Sequence, residues 1–248
     1  MMTFDRSVYI QAMRRLFMDT ASLRQRLEHI VHTHSSVFAA SISTLGFSCA
    51  RCGWCCRENF KIRITKDISR PSNAISVFPL DIRRIIKGTG LHWDEIAEPD
   101  IYSCLDDGKN IRAIGWILRR SDKDDCIFYR DKECTIYEWR PLICRCYPFF
   151  MGEQDVDIIQ CEEGKSRIDA RSAKQIALLV KRYELKKLRS YISIFSQLGD
   201  KLRLADLHPL PDGYDGELIV CDGERSIPVI VSIGVGKYGR IQCPPQKS

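Results

Sequence analysis

The sequence predicts an α+β chain, a small irregular cysteine-rich region flanked by an N-terminal helix and by a C-terminal helix plus a β-like tail. Three observations predict it. Apolar residues recur at helical spacing near both ends. Short alternating runs, punctuated by Gly, Pro and Asp, fill the middle and the tail. Of twelve cysteines, four fall within Cys49–Cys56, and Cys126, Cys134, Cys144, Cys146 and Cys161 follow.

The elements follow in order. Leu23, Leu27, Ile30 and Val31 form an apolar stripe, so the first forty residues read as helix, with Asp19 or Thr20 as the cap. His29, His32 and His34 invite a metal reading, but His34 continues the stripe and reads as a core or interface histidine. Cys49–Cys56 cannot be regular helix if its thiols converge, and Gly53 lets the backbone turn tightly there. Lys61 to Thr65 alternates like a strand, and Arg70 to Asn73 reads as a turn. Ile75 to Phe78 is a short strand. Pro79 opens a helix with Ile82, Ile85 and Ile86 inward, closed by Gly88 and Gly90. Trp93 to Ala97 is one more helical turn, and Ile111 to Leu118 a strand.

Cys126 to Tyr129 and Cys134 to Tyr137 flank a tight turn at Arg130 to Glu133. A short helix runs from Arg140-Pro141 through Cys144 and must end before Pro148. A strand at Val156 to Ile159 leads to Cys161. From Lys165 a long helix shows Ile176, Leu179, Val180, Tyr183, Tyr191, Ile194, Phe195 and Leu198 on one face. Two β-like runs, Leu218 to Val220 and Ile227 to Ile233, form the tail. The expected divisions are 1–45 (helical), 46–164 (cysteine region), 165–207 (basic amphipathic helix) and 208–248 (β-like tail).

At 248 residues the chain can bury a proper core, and 44% hydrophobic with 28% charged residues is ordinary for a globular protein. No apolar run approaches the roughly 20 residues of a membrane helix, and the N-terminus leads into no signal-peptide core. A cytoplasmic location is expected, where thiols stay reduced. The net charge of +6 is concentrated: residues 165–189 hold nine Lys and Arg against Asp169 and Glu184. That segment reads as an amphipathic helix with a solvated basic face, able to meet an acidic partner; nucleic acid is a less favoured partner.

Disulfide scaffolds are usually short and secreted, and this chain is neither, so the cysteines point to metal. Thiolates held close together repel, and a central cation removes that cost. Arg51, Arg57, Arg140 and Arg145 lie beside cysteines and would favour the thiolate form. The spacing is neither the paired C-x2-C of a zinc ribbon nor the bacterial ferredoxin run, because Cys56 follows Cys55 directly. Neighbouring side chains tend to diverge, which leaves two assignments open. Cys55 and Cys56 serve two centres, or one of them bridges or packs. An all-thiolate shell suits zinc and iron–sulfur alike. Gly234 to Gly239 satisfies G-x-G-x-x-G, but no helix can follow it, so it reads as a hairpin turn and not as a dinucleotide site.

The run C-x2-C-x2-C-C, then Asp81-Ile82, Cys126-Ile-Phe, Cys134-Thr-Ile-Tyr137, Arg140-Pro141-x-x-Cys144-Arg145 and Tyr147-Pro148-Phe149, resembles the YkgJ-type cysteine-cluster family, described as zinc- or iron-chelating. The resemblance runs from about Phe47 to Cys161. It implies Cys49, Cys52, Cys55, Cys56, Cys126, Cys134, Cys144 and Cys161 as metal ligands. Arg140 and Arg145 stand as cofactor-side residues. Cys146 sits where the pattern calls for no cysteine, and Cys104, Cys221 and Cys243 lie outside it. The family includes flagellin lysine N-methylase, which implies protein lysine methylation as one alternative. The expected function is a metal-binding protein whose small cysteine-cluster metal domain holds an iron–sulfur cluster, [4Fe–4S] first, in redox or group-transfer chemistry. The alternative is a structural zinc module presenting the basic helix to a partner.

Overall fold

A computed structural model describes residues 19–47, 49, 53–57, 61–63, 69–71, 74–121, 123, 125–152, 155–158, 166–199, 207–211, 213–233 and 241–242. In chain order these form α1 (Thr20–His32), α2 (Ser35–Leu45), a 3-10 turn (Trp54–Cys56), β1 (Lys61–Arg63), β2 (Ser69–Pro71), β3 (Ser76–Val77), α3 (Pro79–Thr89), α4 (Trp93–Ile96), β4 (Ala97–Pro99), β5 (Cys104–Asp106), β6 (Ile111–Ile114) and β7 (Trp116–Leu118). Then come β8 (Tyr129–Arg130), β9 (Glu133–Cys134), a second 3-10 turn (Tyr137–Trp139), α5 (Leu142–Cys146), β10 (Phe149–Met151), β11 (Val156–Ile158), α6 (Ala170–Leu198), β12 (Asp215–Cys221), β13 (Ser226–Ser232) and β14 (Ile241–Gln242). The fold is α+β, as the patterning predicts. It divides into two compact units, Met1–Cys52 with Arg145–Asp206, and Gly53–Cys144 with Leu207–Ser248.

The first unit is built on α6, against which both α1 and α2 pack. Ala173 and Ala177 are fully buried on α6, and small side chains let neighbouring backbones approach. Leu23 and Ile30 of α1 and Phe38 and Ile42 of α2 fill the core with Val180, Leu188, Ile194 and Phe195. Asp19 caps α1 through Ser22 N–H (2.8 Å). The single helix expected here is interrupted at Thr33–His34, because the His34 ring accepts the Ser36 N–H and starts α2. His34 is therefore an exposed cap and not a core histidine. The long helix starts at Ala170, capped by Asp169, rather than at Lys165.

Glu184 is buried on α6 and meets two cations. The Arg26 guanidinium donates to it at 3.2 Å and to the Gly152 carbonyl at 2.5 Å, and Lys187 pairs with its other oxygen. Lys181 turns to the end of α1 and donates to the carbonyls of Val31 (3.0 Å) and Thr33 (2.6 Å). Lys181 and Lys187 are thus tied into the fold, while Arg171, Lys174, Arg182 and Arg189 stay exposed.

The second unit holds a five-stranded sheet of order β14-β13-β12-β6-β5 and a three-stranded sheet of order β3-β7-β4. The expected single strand Ile111–Leu118 is split at Gly115, whose φ of 94° only glycine adopts freely. The break sends β6 to the larger sheet, parallel to β12, and β7 to the smaller one. Arg70-Pro71, expected as a turn, lies in β2, which pairs with β1. Gly88 sits inside α3, and Gly90 is its left-handed cap. In β13, Ile227, Val229 and Val231 alternate inward, the period a half-buried strand requires. The core gathers Ile82, Ile85, Ile96, Ala113, Trp116, Ile117, Leu218 and Val220. The Trp93 and Trp116 rings meet edge to face at 5.4 Å, and Trp116 donates to Asp222 (3.1 Å). The glycine run at 234–239 lies outside the described residues.

Arg26→Ala would leave a buried carboxylate with one cation fewer and a carbonyl without its donor. It is expected to lower the unfolding free energy by about 2–3 kcal/mol, read from urea denaturation.

Candidate metal centre

Gly53 takes a left-handed conformation (φ 73°, ψ 5°) and leads directly into the 3-10 turn Trp54–Cys56. A side chain at position 53 would overlap the Tyr129 ring. Both constraints demand glycine, and together they place Cys55 and Cys56 beside the β8–β9 hairpin. The tight turn puts the two sulfurs on one side, 3.9 Å apart. The Cys126 N–H donates to the Cys56 carbonyl at 2.7 Å, joining the 3-10 turn to the loop that carries Cys126.

The hairpin closes through Asp131 and Lys132, both with positive φ (49° and 65°), the pair of left-handed residues a two-residue hairpin turn requires. Its register sets Cys134 opposite Tyr129. Thr135 fixes the exit, donating its N–H (2.9 Å) and hydroxyl (3.1 Å) to the Phe128 carbonyl.

Cys144 is positioned from a distance in sequence. Asp81, buried in the first turn of α3, accepts the Leu142 N–H at 3.1 Å and so caps the helix that carries Cys144. The Arg84 guanidinium donates to the same Asp81 oxygen (3.0 Å) and to the carbonyl of Arg140. Gly88 leaves room for the Trp139 ring, since a Cβ there would overlap it. One face of α3 therefore holds the whole 139–142 segment.

Cys55, Cys56, Cys126, Cys134 and Cys144 form one electrostatic neighbourhood. The hydrogen bond with Cys56 holds the Cys55 thiol well above the ordinary thiol range. The hydrogen bond with Cys126 pushes Cys56 up to about 12. Burial raises Cys134. Burial, followed by the charges of Cys55, Cys56 and Cys134, raises Cys144 strongly. The cation that opposes these shifts at Cys55, Cys134 and Cys144 is Arg140. Its guanidinium lies 3.6 Å over the Tyr137 ring and donates to the Tyr137 carbonyl at 2.9 Å.

Thiols are soft donors of the kind a thiophilic metal takes, and metal binding displaces thiol protons. Among the described residues, no three or more His, Cys, Asp or Glu side chains stand close enough together to hold one metal ion. The donors are gathered, not preset.

The other expected ligands are placed differently. Cys49 is exposed and belongs to the unit of Met1–Cys52. Cys52 and Cys161 lie outside the described residues, as does Cys243. Cys146 is buried in the first unit; Cys104 and Cys221 are buried in the second. Arg145 is exposed on α5, and Arg57 is exposed after the 3-10 turn. His29 and His32 are exposed at the end of α1. The sequence pattern marked Asp81-Ile82 as part of the family resemblance but gave Asp81 no role, and it did not single out Arg84; nothing local says that the Asp81 oxygen serves a helix sixty residues later.

Residues 48–167 match the family model CxxCxxCC, described as "Putative zinc- or iron-chelating domain". No curated protein and no solved structure matches the chain.

Two substitutions test the scaffold. Gly53→Ala adds left-handed strain to overlap with Tyr129 and is expected to cost about 2 kcal/mol or more, with a matching loss of bound metal by elemental analysis. Asp81→Ala is expected to cost about 2–3 kcal/mol in denaturant unfolding and to weaken metal retention, although the residue carries no ligand atom.

Proposed function

We propose that this chain is a thiolate metal-binding protein in which Cys55, Cys56, Cys126, Cys134 and Cys144 supply the donors and Arg140 offsets part of their negative charge. The single observation that carries this reading is the gathering of thiols from separate stretches of sequence, with the Cys55 and Cys56 sulfurs 3.9 Å apart and the Cys126 N–H bonded to the Cys56 carbonyl. The match of residues 48–167 to a zinc- or iron-chelating domain supports it. Cys49, Cys52 and Cys161 stand as candidate ligands on spacing and resemblance alone.

Two metal contents suit the donor set. Five thiols exceed the four that either one tetrahedral ion or one iron–sulfur cluster takes, which leaves one thiol for a second ion or for packing. A cluster would supply electron-transfer or group-transfer chemistry. Here Arg140 would hold the charge balance, and the buried Cys126 and half-buried Cys144 would limit water access. The zinc reading is supported by the close Cys55–Cys56 sulfurs and makes the metal a staple between the 3-10 turn, the hairpin and α5. In that reading the exposed cations Arg171, Lys174, Arg182 and Arg189 present a basic helix to an acidic partner. Lysine methylation rests on resemblance alone and requires S-adenosylmethionine binding, which titration calorimetry would detect.

Protein purified without oxygen is expected to carry stoichiometric iron or zinc. Brown colour with absorption near ~400 nm marks a cluster, and a colourless zinc protein marks the staple. Protein free of both metals, and unable to take either up after reduction, would refute the proposal. Because each ligand must lose a proton, apparent affinity is expected to fall as pH falls, by about tenfold per pH unit for each proton released, read by chelator competition.

A further inference from the structure

The separation of the two adjacent sulfurs carries an inference about how the site is used. Neighbouring side chains ordinarily point apart, on opposite faces of a strand and about a third of a turn apart in a 3-10 helix. At Cys55 and Cys56 the turn after Gly53 overrides that tendency, and the sulfurs stand 3.9 Å apart. Two thiolates bound to one tetrahedral ion at about 2.3 Å are separated by the edge of that tetrahedron, about 3.8 Å. The observed spacing matches this edge. In a cluster that gives each cysteine its own iron, the metal atoms intervene and the sulfurs must stand further apart.

We propose that Cys55 and Cys56 act as one bidentate pair, both thiolates on a single soft cation, and not as ligands of two centres. The inference rests on the metal-binding reading above and deepens it. The pair is held for the task on both sides. Gly53 and the Trp54 carbonyl, which accepts the Arg57 N–H at 3.4 Å, shape the turn, and the Cys126 N–H fixes the Cys56 carbonyl. Access also suits capture, because Cys55 is exposed and Cys56 half-buried. Such a dithiol also condenses with a trivalent arsenical. Two S–H protons and the arsenic-bound oxygen leave as water, two As–S bonds form, and no electrons change hands.

The test uses the full-length reduced protein, stripped of metal, with Cys55→Ser, Cys56→Ser and the double variant. Cobalt(II) is titrated while thiolate-to-cobalt absorption is followed. Each single variant is expected to lose the same one equivalent, or at least tenfold in its affinity, and the double variant to lose no more than either single. Losses that add in the double variant would overturn the shared ion. Phenylarsine oxide supplies the second arm, with intact mass and peptide mapping on the wild type. One adduct bridging the peptide that carries Cys55 and Cys56 is expected, and it should vanish in either single variant. An adduct that maps to other thiols, or that survives Cys55→Ser, would overturn the pairing. If the wild type takes up no cobalt, the metal-binding reading fails, and the arsenical arm still decides whether the two sulfurs act together. If a serine variant does not fold, the wild-type peptide map decides.

Discussion

Mutual repulsion among thiolates is the constraint on which the second unit turns. Two negative charges at the Cys55–Cys56 separation of 3.9 Å repel by about 4 kcal/mol at an effective dielectric near 20. The hydrogen bond from Cys126 raises the Cys56 thiol, while burial is the main cause that raises Cys134 and Cys144. A single fixed cation, Arg140, cannot neutralise five such groups. In the metal-binding reading proposed above, a bound cation would turn the same crowding into chelation. The scaffold therefore has to press together groups that would separate once ionised.

It does so with short, stiff connections. A left-handed glycine, a 3-10 turn, a two-residue hairpin and a five-residue helix present the thiols, and none of these elements is stable alone. Each is tied to a neighbour by a specific bond: Cys126 N–H to Cys56, Thr135 to Phe128, and Leu142 N–H to Asp81. The last of these ties ends on α3, whose inner face joins the hydrophobic core through Ile82 and Ile85. The apolar core thus serves the polar site by anchoring the one helix that holds the segment before Cys144.

The first unit solves a different problem. Its long helix buries a carboxylate, Glu184, in the face that receives α1 and α2. Arg26 and Lys187 make that burial tolerable, and the arrangement sets the register of α1 along α6. Periodicity located this helix, and the basic count in 165–189 was plain, but the division of that charge was not. Lys181 and Lys187 make intramolecular contacts, while Arg171, Lys174, Arg182 and Arg189 stay exposed.

Composition and spacing determined that this is an α+β chain and pointed its cysteines to metal rather than to a disulfide frame, and the family resemblance supplied the candidate ligands. Those properties are local or additive: helical period, glycine at a forced turn, soft donors counted along the chain. Tertiary structure decided which thiols become neighbours, that Cys55 and Cys56 face the same way, that Ile111–Leu118 splits between two sheets, and that Asp81 braces Cys144. Such choices depend on backbone torsions at Gly53 and Gly115 and on bonds between residues sixty positions apart. No local pattern encodes a partner that only folding brings within reach.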